Sequence, residues 1–247
     1  MTGTISIVIA AYNEETRIGG TLRRIRQYVT ERRLDCEIIV VDDGSGDGTA
    51  ALVQRLAEEI PALRVIRYEP NRGKGYALRT GVLASKGELV LVSDADLSTP
   101  IEELEVLWPH LSDNACQVAI GSRALALSQI LEKQPWWRRG MGKTFNKIVK
   151  LMIMDDFNDT QCGFKLFRGG VARTLFAEAR IDRFAYDVEV LALAKKHGHR
   201  VAEVPIKWIN SPGSKVHPVF DSLQMLKDLC RIRMCLGSVK NARPCAR

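Results

Sequence analysis

Ile5 to Ala10 is a short run of β-branched and small apolar residues, too brief for a helix. Beyond Asn13 the period changes: Ile18, Leu22, Ile25 and Val29 recur every three or four residues and predict a helix. The alternation then repeats. Cys36 to Val41 predicts a second strand, Thr49 to Glu59 a helix stopped by Pro61, and Leu63 to Arg67 a third strand. Lys74 to Ser85 predicts another helix and Glu88 to Ser93 a fourth strand. Strands and helices in this order imply an α/β fold with a mostly parallel central sheet, helices on both faces and ligands at the carboxyl ends of the strands. Two later segments, 136–152 and 218–236, carry apolar residues at helical spacing beside basic ones. We expect one domain over residues 1–211 and a C-terminal amphipathic helix with a basic tail over 212–247.

The polar motifs fall where that architecture expects a ligand. Ala11-Tyr12-Asn13-Glu14-Glu15 follows the first strand, Asp42-Asp43-Gly44-Ser45-Gly46-Asp47-Gly48-Thr49 the second, and Asp94-Ala95-Asp96 the fourth. The glycines at 44, 46 and 48 are not spaced as a dinucleotide fingerprint, and no P-loop Gly-Lys-Ser/Thr occurs. In extended backbone, residues two apart project to one side, so Asp94 and Asp96 can address one hard divalent cation, Mg2+ or Mn2+, while a diphosphate supplies further oxygens. Such an ion neutralises the charge on a departing diphosphate. The competing use of this Asp pair is to cap a helix near Pro100. Arg72 and Lys74, beside Gly73 and Gly75 and ahead of a helix, suit a diphosphate as well.

Charge narrows the partners. The 247-residue chain carries a formal charge of +7, which favours an anionic ligand or surface. Part of the excess lies within 132–150, where six basic side chains face Glu132 alone. In 136–152, Trp137, Met141, Phe145, Ile148 and Met152 form an apolar face flanked by Arg138, Arg139, Lys143, Lys147 and Lys150. This pattern fits an anionic membrane surface or a core-packed helix with a solvated basic side. It does not point to nucleic acid, whose footprint is not built on Trp and Met at helical spacing. Phe220, Leu223, Leu226, Leu229 and Cys230 make a second apolar face, open to either use. The six cysteines form no Cys-x-x-Cys pair and read as thiols of a reducing compartment. No leader-like segment precedes the first strand, and no apolar run approaches the roughly 20 residues that cross a bilayer. The expectation is a cytoplasmic protein, peripheral at the inner face of the membrane.

Taken together, Ile9 to Glu15, Val41 to Thr49, Asn71-Arg72-Gly73-Lys74-Gly75 and Asp94-Ala95-Asp96 resemble the inverting family 2 glycosyltransferases, whose GT-A fold is a Rossmann-like single domain. The resemblance implies a nucleotide-diphospho-sugar donor and a metal on Asp94 and Asp96. It also implies that Asp43 and Asp42 contact the nucleobase, that Ala11, Tyr12 and Glu14 line the nucleotide pocket, and that Arg72 and Lys74 lie near the donor. Gly121-Ser122-Arg123, Trp136-Trp137-Arg138, Asp159 to Phe167, Arg183 to Glu189 and Gly213-Ser214-Lys215 look like the polyprenyl-phosphate members, above all the dolichyl-phosphate β-glucosyltransferases and their bacterial relatives. By that likeness Arg123 and Arg138 grip the lipid phosphate, Asp159 is catalytic, and Gln161, Asp187, Glu189 and Lys215 lie on the acceptor side.

The implied reaction moves a hexose, glucose from UDP-glucose first and mannose from GDP-mannose next, onto dolichyl or undecaprenyl phosphate. A phosphate monoester with a second pKa of about 6 is largely a dianion near neutrality and needs no strong base. Alignment and charge control then carry the reaction, with Asp96, Arg123, Arg138 and Asp159 at its centre. Family 2 transfer to a glycan hydroxyl would instead require a base such as Asp187 or Glu189.

Overall fold

The four apolar runs of the N-terminal half become strands: β1 (Ile5–Ala11), β2 (Cys36–Asp43), β3 (Leu63–Tyr68) and β4 (Leu89–Asp94). In the computed structural model, which describes residues 3–112, 116–132, 135–211 and 220–237 except the side chains of Ser112, Trp136 and Trp137, they pair in parallel as β3-β2-β1-β4. The inner strands β1, β2 and β4 are largely apolar on both faces because both are covered, whereas the edge strand β3 carries Arg64 and Arg67. Ile7, Ile9, Ile38, Val40, Leu89 and Leu91 pack with α1 (Glu15–Glu31) and α2 (Thr49–Glu59). Val8, Ile39, Val41, Val90 and Val92 pack on the other face with α3 (Lys74–Ala84). Each such side chain contributes roughly 1.5–3 kcal/mol on full burial. The chain builds from β1 toward β3 and returns through β4 on the other flank of β1, which opens a crevice at the carboxyl ends of β1 and β4.

The second half adds β5 (Val118–Ser122) and β8 (Val201–Pro205), parallel to each other, and β7 (Lys165–Arg168), inserted between β4 and β5 and antiparallel to both. The completed sheet has seven strands in the order β3-β2-β1-β4-β7-β5-β8. An antiparallel strand starts at the rim where parallel strands end, so the residues before β7 are delivered to the crevice. A short parallel ribbon, β6 (Gln129–Ile130) with β9 (Lys207–Trp208), stands beside it. A 3₁₀ turn at Ile101–Glu103 leads into α4 (Leu104–Leu107) and α5 (Pro109–Ser112). The remaining helices are α6 (Trp136–Met152), α7 (Gly169–Glu178), α8 (Tyr186–Lys196) and α9 (Phe220–Leu236).

The two amphipathic helices are divided along their surfaces. Phe145 and Val149 of α6 are buried in the core and Ile148 and Met152 pack against it, whereas Arg139, Met141, Lys143 and Leu151 are exposed. In α9, Met225, Leu229 and Ile232 enter the same core while Phe220, Leu223 and Met234 stay exposed. Leu229 therefore belongs to the interior face and not to an outward one. No helix of the described residues is long and apolar enough to cross a membrane. Cys36, Cys162, Cys230 and Cys235 are free thiols, but Cys116 is disulfide-bonded, so the reading of all six cysteines as thiols does not hold.

Candidate active site

Register brings the polar motifs to one rim: Ala11 pairs with Asp42, and Ala10 with Asp94. The loops after β1 and β2 are laced to each other. Asn13 N–H donates to Ser45 Oγ at 2.9 Å, Gly46 N–H to Asn13 Oδ1 at 2.9 Å, and Glu14 N–H to Thr49 Oγ1 at 2.8 Å. Asp43 is buried and fully engaged, accepting from Arg72 N–H at 2.7 Å, Gly73 N–H at 2.8 Å and Asn71 Nδ2 at 2.7 Å. It holds the 71–73 turn in place. Asp42, entirely buried, accepts from Ser45 through Oδ1 but has no hydrogen bond on Oδ2. Arg67 Nε lies 3.3 Å from that oxygen, an ion-pair distance without hydrogen-bond geometry. Of this acidic pair, only Asp42 keeps a carboxylate oxygen without a hydrogen bond, and that oxygen is buried beside Arg67. Tyr12 is exposed at the same rim, and Glu14 pairs with Arg17 at 2.6 Å.

Asp94 ends β4, and Asp96 lies in the turn beyond it, followed by Leu97 at φ +47°. The two carboxylates do not share one stretch of extended backbone, which corrects the geometric reason given for pairing them. Nor do they cap a helix: Asp96 Oδ1 accepts from Ser98 N–H at 3.0 Å, and the 3₁₀ turn at Ile101 has no side-chain cap. Each faces a cation instead. Lys74 Nζ is 2.5 Å from Asp94 Oδ1, and Arg17 Nη1 is 3.6 Å from Asp96 Oδ2. Burial disfavours the charges of Lys74 and Asp94, but the pairing outweighs it, raising the Lys74 pKa and lowering that of Asp94. Among the described residues no group of three His, Cys, Asp or Glu forms a closed metal site. Two carboxylates in a cation-attracting position still fit a hard divalent ion that takes its other oxygens from water and a diphosphate.

Three glycines make this approach possible. Gly73 has φ +106°, and an added Cβ there would lie 2.6 Å from Asp182 O; one on Gly75 would lie 2.7 Å from Tyr186 Cβ. These two are therefore requirements of close packing against 181–186 as well as turn formers. A Cβ on Gly163, in the loop before β7, would overlap the Asp94 carboxylate.

On the other side of Asp94, Arg123 meets Asp159 in a two-pronged pair, Nε to Oδ2 at 2.7 Å and Nη2 to Oδ1 at 2.9 Å, with Arg123 N–H adding a third bond at 3.0 Å. The Arg123 guanidinium also lies 5.7 Å from the Trp208 ring centroid. Despite burial, which acts against its charge, Arg123 holds the Asp159 pKa below the usual carboxylate range. Gln161 is half-buried and donates its N–H to Asp159 Oδ1 at 3.1 Å. Asp187, in the first turn of α8, is buried and paired with Lys165 of β7. Its pKa is raised, burial prevailing over Lys165 and Lys74. Glu189 is placed differently: its Oε2 accepts from Arg180 and Ile181 N–H at 2.9 and 2.8 Å, and its charged neighbours are Arg79 and Asp228. Arg138 is half-buried in the first turn of α6, Arg72 stacks 3.5 Å over the Tyr76 ring, and Lys215 lies outside the described residues.

The comparison with known families decides the class. A family model described as "Glycosyl transferase family 2" matches residues 6–176, most of the chain. The chain belongs to glycosyl transferase family 2. Among relatives of this glycosyltransferase, the "Dolichyl-phosphate beta-glucosyltransferase" of Dictyostelium discoideum is 36% identical over 240 residues, covering 93% of this chain and 73% of that protein. Its namesake in Homo sapiens is 35% identical over 245 residues, covering 94% and 76%. Among solved structures, glucosyl-3-phosphoglycerate synthase from Mycobacterium tuberculosis, in complex with Mn2+, UDP and phosphoglyceric acid, superposes with a TM-score of 0.70 at 17% identity, covering 97% of this chain and 80% of that one. The Pyrobaculum calidifontis mannosyltransferase PcManGT, in complex with GDP-Man and Mn2+, gives 0.61 at 21% identity, covering 87% and 59%. These two establish the GT-A architecture.

Two side chains of the glycosyltransferase site were not anticipated as functional. Arg17 looked like any exposed position of an amphipathic helix, and only the folded chain brings it to Asp96. Lys165 had a visible signal: a lysine inside Phe164-Lys165-Leu166-Phe167 must be buried in a strand and so requires a carboxylate.

Proposed function

We propose that this glycosyltransferase transfers glucose from UDP-glucose to dolichyl or another polyprenyl phosphate, with inversion, at a membrane surface. The observation that carries the reading is that every carboxylate clustered around Asp94 already faces a cation: Asp94 with Lys74, Asp96 with Arg17, Asp159 with Arg123 and Asp187 with Lys165. Among the described residues around Asp94 no carboxylate stands free of a cation to serve a sugar hydroxyl as base, whereas cations are well supplied for an acceptor that arrives ionised. The names of the relatives support glucose and dolichyl phosphate, and the UDP and Mn2+ bound in the fold neighbour support the donor type and the ion.

In this reading Asp42 Oδ2 receives the nucleobase N–H, Tyr12 covers the base, and Lys74 and Arg72 turn to the diphosphate. A divalent ion on Asp94 and Asp96 would supply charge neutralisation to the leaving diphosphate. Arg123 aligns the acceptor phosphate for attack opposite the leaving group, held at the right angle by Asp159. The exposed Phe220, Leu223, Met234 and Leu151, near Lys227, Arg231 and Arg233, offer an apolar and basic surface to anionic lipid.

The test is incubation with UDP-glucose or GDP-mannose, Mg2+ or Mn2+, and dolichyl phosphate, undecaprenyl phosphate or a free glycan, followed by mass analysis of the lipid. A hexosyl-phosphoryl-polyprenol from UDP-glucose is expected. Product formed only on the glycan would overturn the acceptor assignment, and product only from GDP-mannose would overturn the donor.

A further inference from the structure

Lys74 sits on the carboxylate that the proposed metal requires. Its Nζ is 2.5 Å from Asp94 Oδ1, and the pair is half-buried. A divalent ion bound to that carboxylate and an ammonium hydrogen-bonded to it compete for the same negative charge, and the two cations repel each other at such short range. Something must yield. Asp94 ends a central strand, and Gly163 crowds its carboxylate so closely that one added carbon would overlap it. Lys74 begins α3 on a flexible four-carbon stem, with Asp187 and Asp96 also attracting its charge.

We propose that Lys74 is a resident counter-cation of the metal site, which keeps Asp94 closed to the ion until a nucleotide diphosphate draws the ammonium away. The inference rests on the reading of Asp94 and Asp96 as metal ligands. Metal alone must displace Lys74 without recompense. Metal arriving with a diphosphate gives Lys74 a new anionic partner. Donor and metal therefore bind with positive coupling, and by linkage each raises the other's affinity by the same factor. Arg17, 3.6 Å from Asp96 Oδ2 and paired with Glu14, is a looser counterpart on the second carboxylate.

The experiment measures Mn2+ binding to the full chain by electron paramagnetic resonance of free Mn2+, with and without UDP. Lys74→Met should bind Mn2+ without nucleotide roughly tenfold more tightly than the native protein, and should gain less from added UDP. Lys74→Arg, which keeps the charge, should stay near the native affinity, and Asp94→Asn placed on Lys74→Met should erase the gain. An unchanged affinity in Lys74→Met, or an equal tightening in Lys74→Arg, would overturn the proposal. Should Lys74→Met fail to fold, the native protein gives the answer by nitrogen-15 NMR. The Lys74 ammonium signal should move when Mg2+ and UDP are added together and stay put with Mg2+ alone; a signal unmoved by both would overturn the proposal. If no variant binds Mn2+ even with UDP, the metal reading of Asp94 and Asp96 fails, a result distinct from equal binding by all.

Discussion

Carboxylates are used in two different ways on the two sides of the crevice. In the loops after β1 and β2, acids mostly hold backbone amides: Asp43 takes Arg72 and Gly73 N–H, and Glu15 takes Gly48 N–H at 3.0 Å. Around Asp94 and β7, acids are matched to side-chain cations: Lys74, Arg123 and Lys165. An amide is fixed by the fold, so the first set shapes loops. A lysine or arginine can change partners, so the second set can be reopened by an anionic substrate.

The largest expected effect lies at Asp94 and Asp96, the proposed metal ligands. Asp96→Ala should lower turnover on the order of 10³-fold while leaving the fold intact, measured as labelled glucosyl lipid. Next, Lys165→Met should cost about 3–5 kcal/mol by leaving Asp187 buried and unpaired, read by urea denaturation. Because the folded pKa of Asp187 is raised, its contribution is favourable at low pH and lost as pH rises. Stability of Lys165→Met should therefore recover on acidification, and Asp187→Asn should rescue it at neutral pH; no recovery by either route would refute the pairing. Asp43→Asn should cost about 1–3 kcal/mol, since the amide cannot accept from all three donors of the 71–73 turn.

A smaller effect concerns pH. Asp94 and Asp159 have depressed pKa values, so their share of stability is present above the unfolded carboxylate pKa of about 3.9 and lost as pH falls through and below it. Asp159→Asn should flatten that acid limb, and an unchanged slope would show the Arg123 pair to be energetically idle. Smallest of all, Phe220→Ser with Leu223→Ser should alter stability by less than about 0.5 kcal/mol, as both are exposed, yet weaken sedimentation with anionic vesicles. Undiminished vesicle binding would remove α9 from the docking surface.

The first four strands and three helices were legible because each is a local pattern: a β-branched run, or an apolar period ended by Pro61 or begun at Lys74. The positions of Asp42 and Asp94 at strand ends, and of Lys74 at the start of a helix, followed from that alternation. What the sequence could not disclose depends on pairing across distance. Nothing local announces that Lys165–Arg168 runs antiparallel between β4 and β5, and with it went the role of Gly163 and the identity of the carboxylate that meets Lys165. Likewise Asp42 and Asp43 are adjacent and chemically alike. Only the register with Tyr68 and the 71–73 turn shows that Asp43 is fully hydrogen-bonded while Asp42 keeps one oxygen without a hydrogen bond. Glu189 matched the motif yet turns to the 180–181 amides, because helical periodicity places it on another side of α8 from Asp187.

The reversed strand also sets a rule for how relatives of this chain can diverge. Lys165 points toward α8 while Phe164 and Leu166 point to the opposite layer, so a one-residue slip of β7, such as a change in the length of 159–164 carried into the strand, would exchange those sides. That would bury the ammonium among isoleucines and turn two hydrocarbon chains toward Asp187. The spacing from Asp159 to Lys165 is therefore held as firmly as Asp159 and Gly163 themselves, and homologues should align through this segment without gaps.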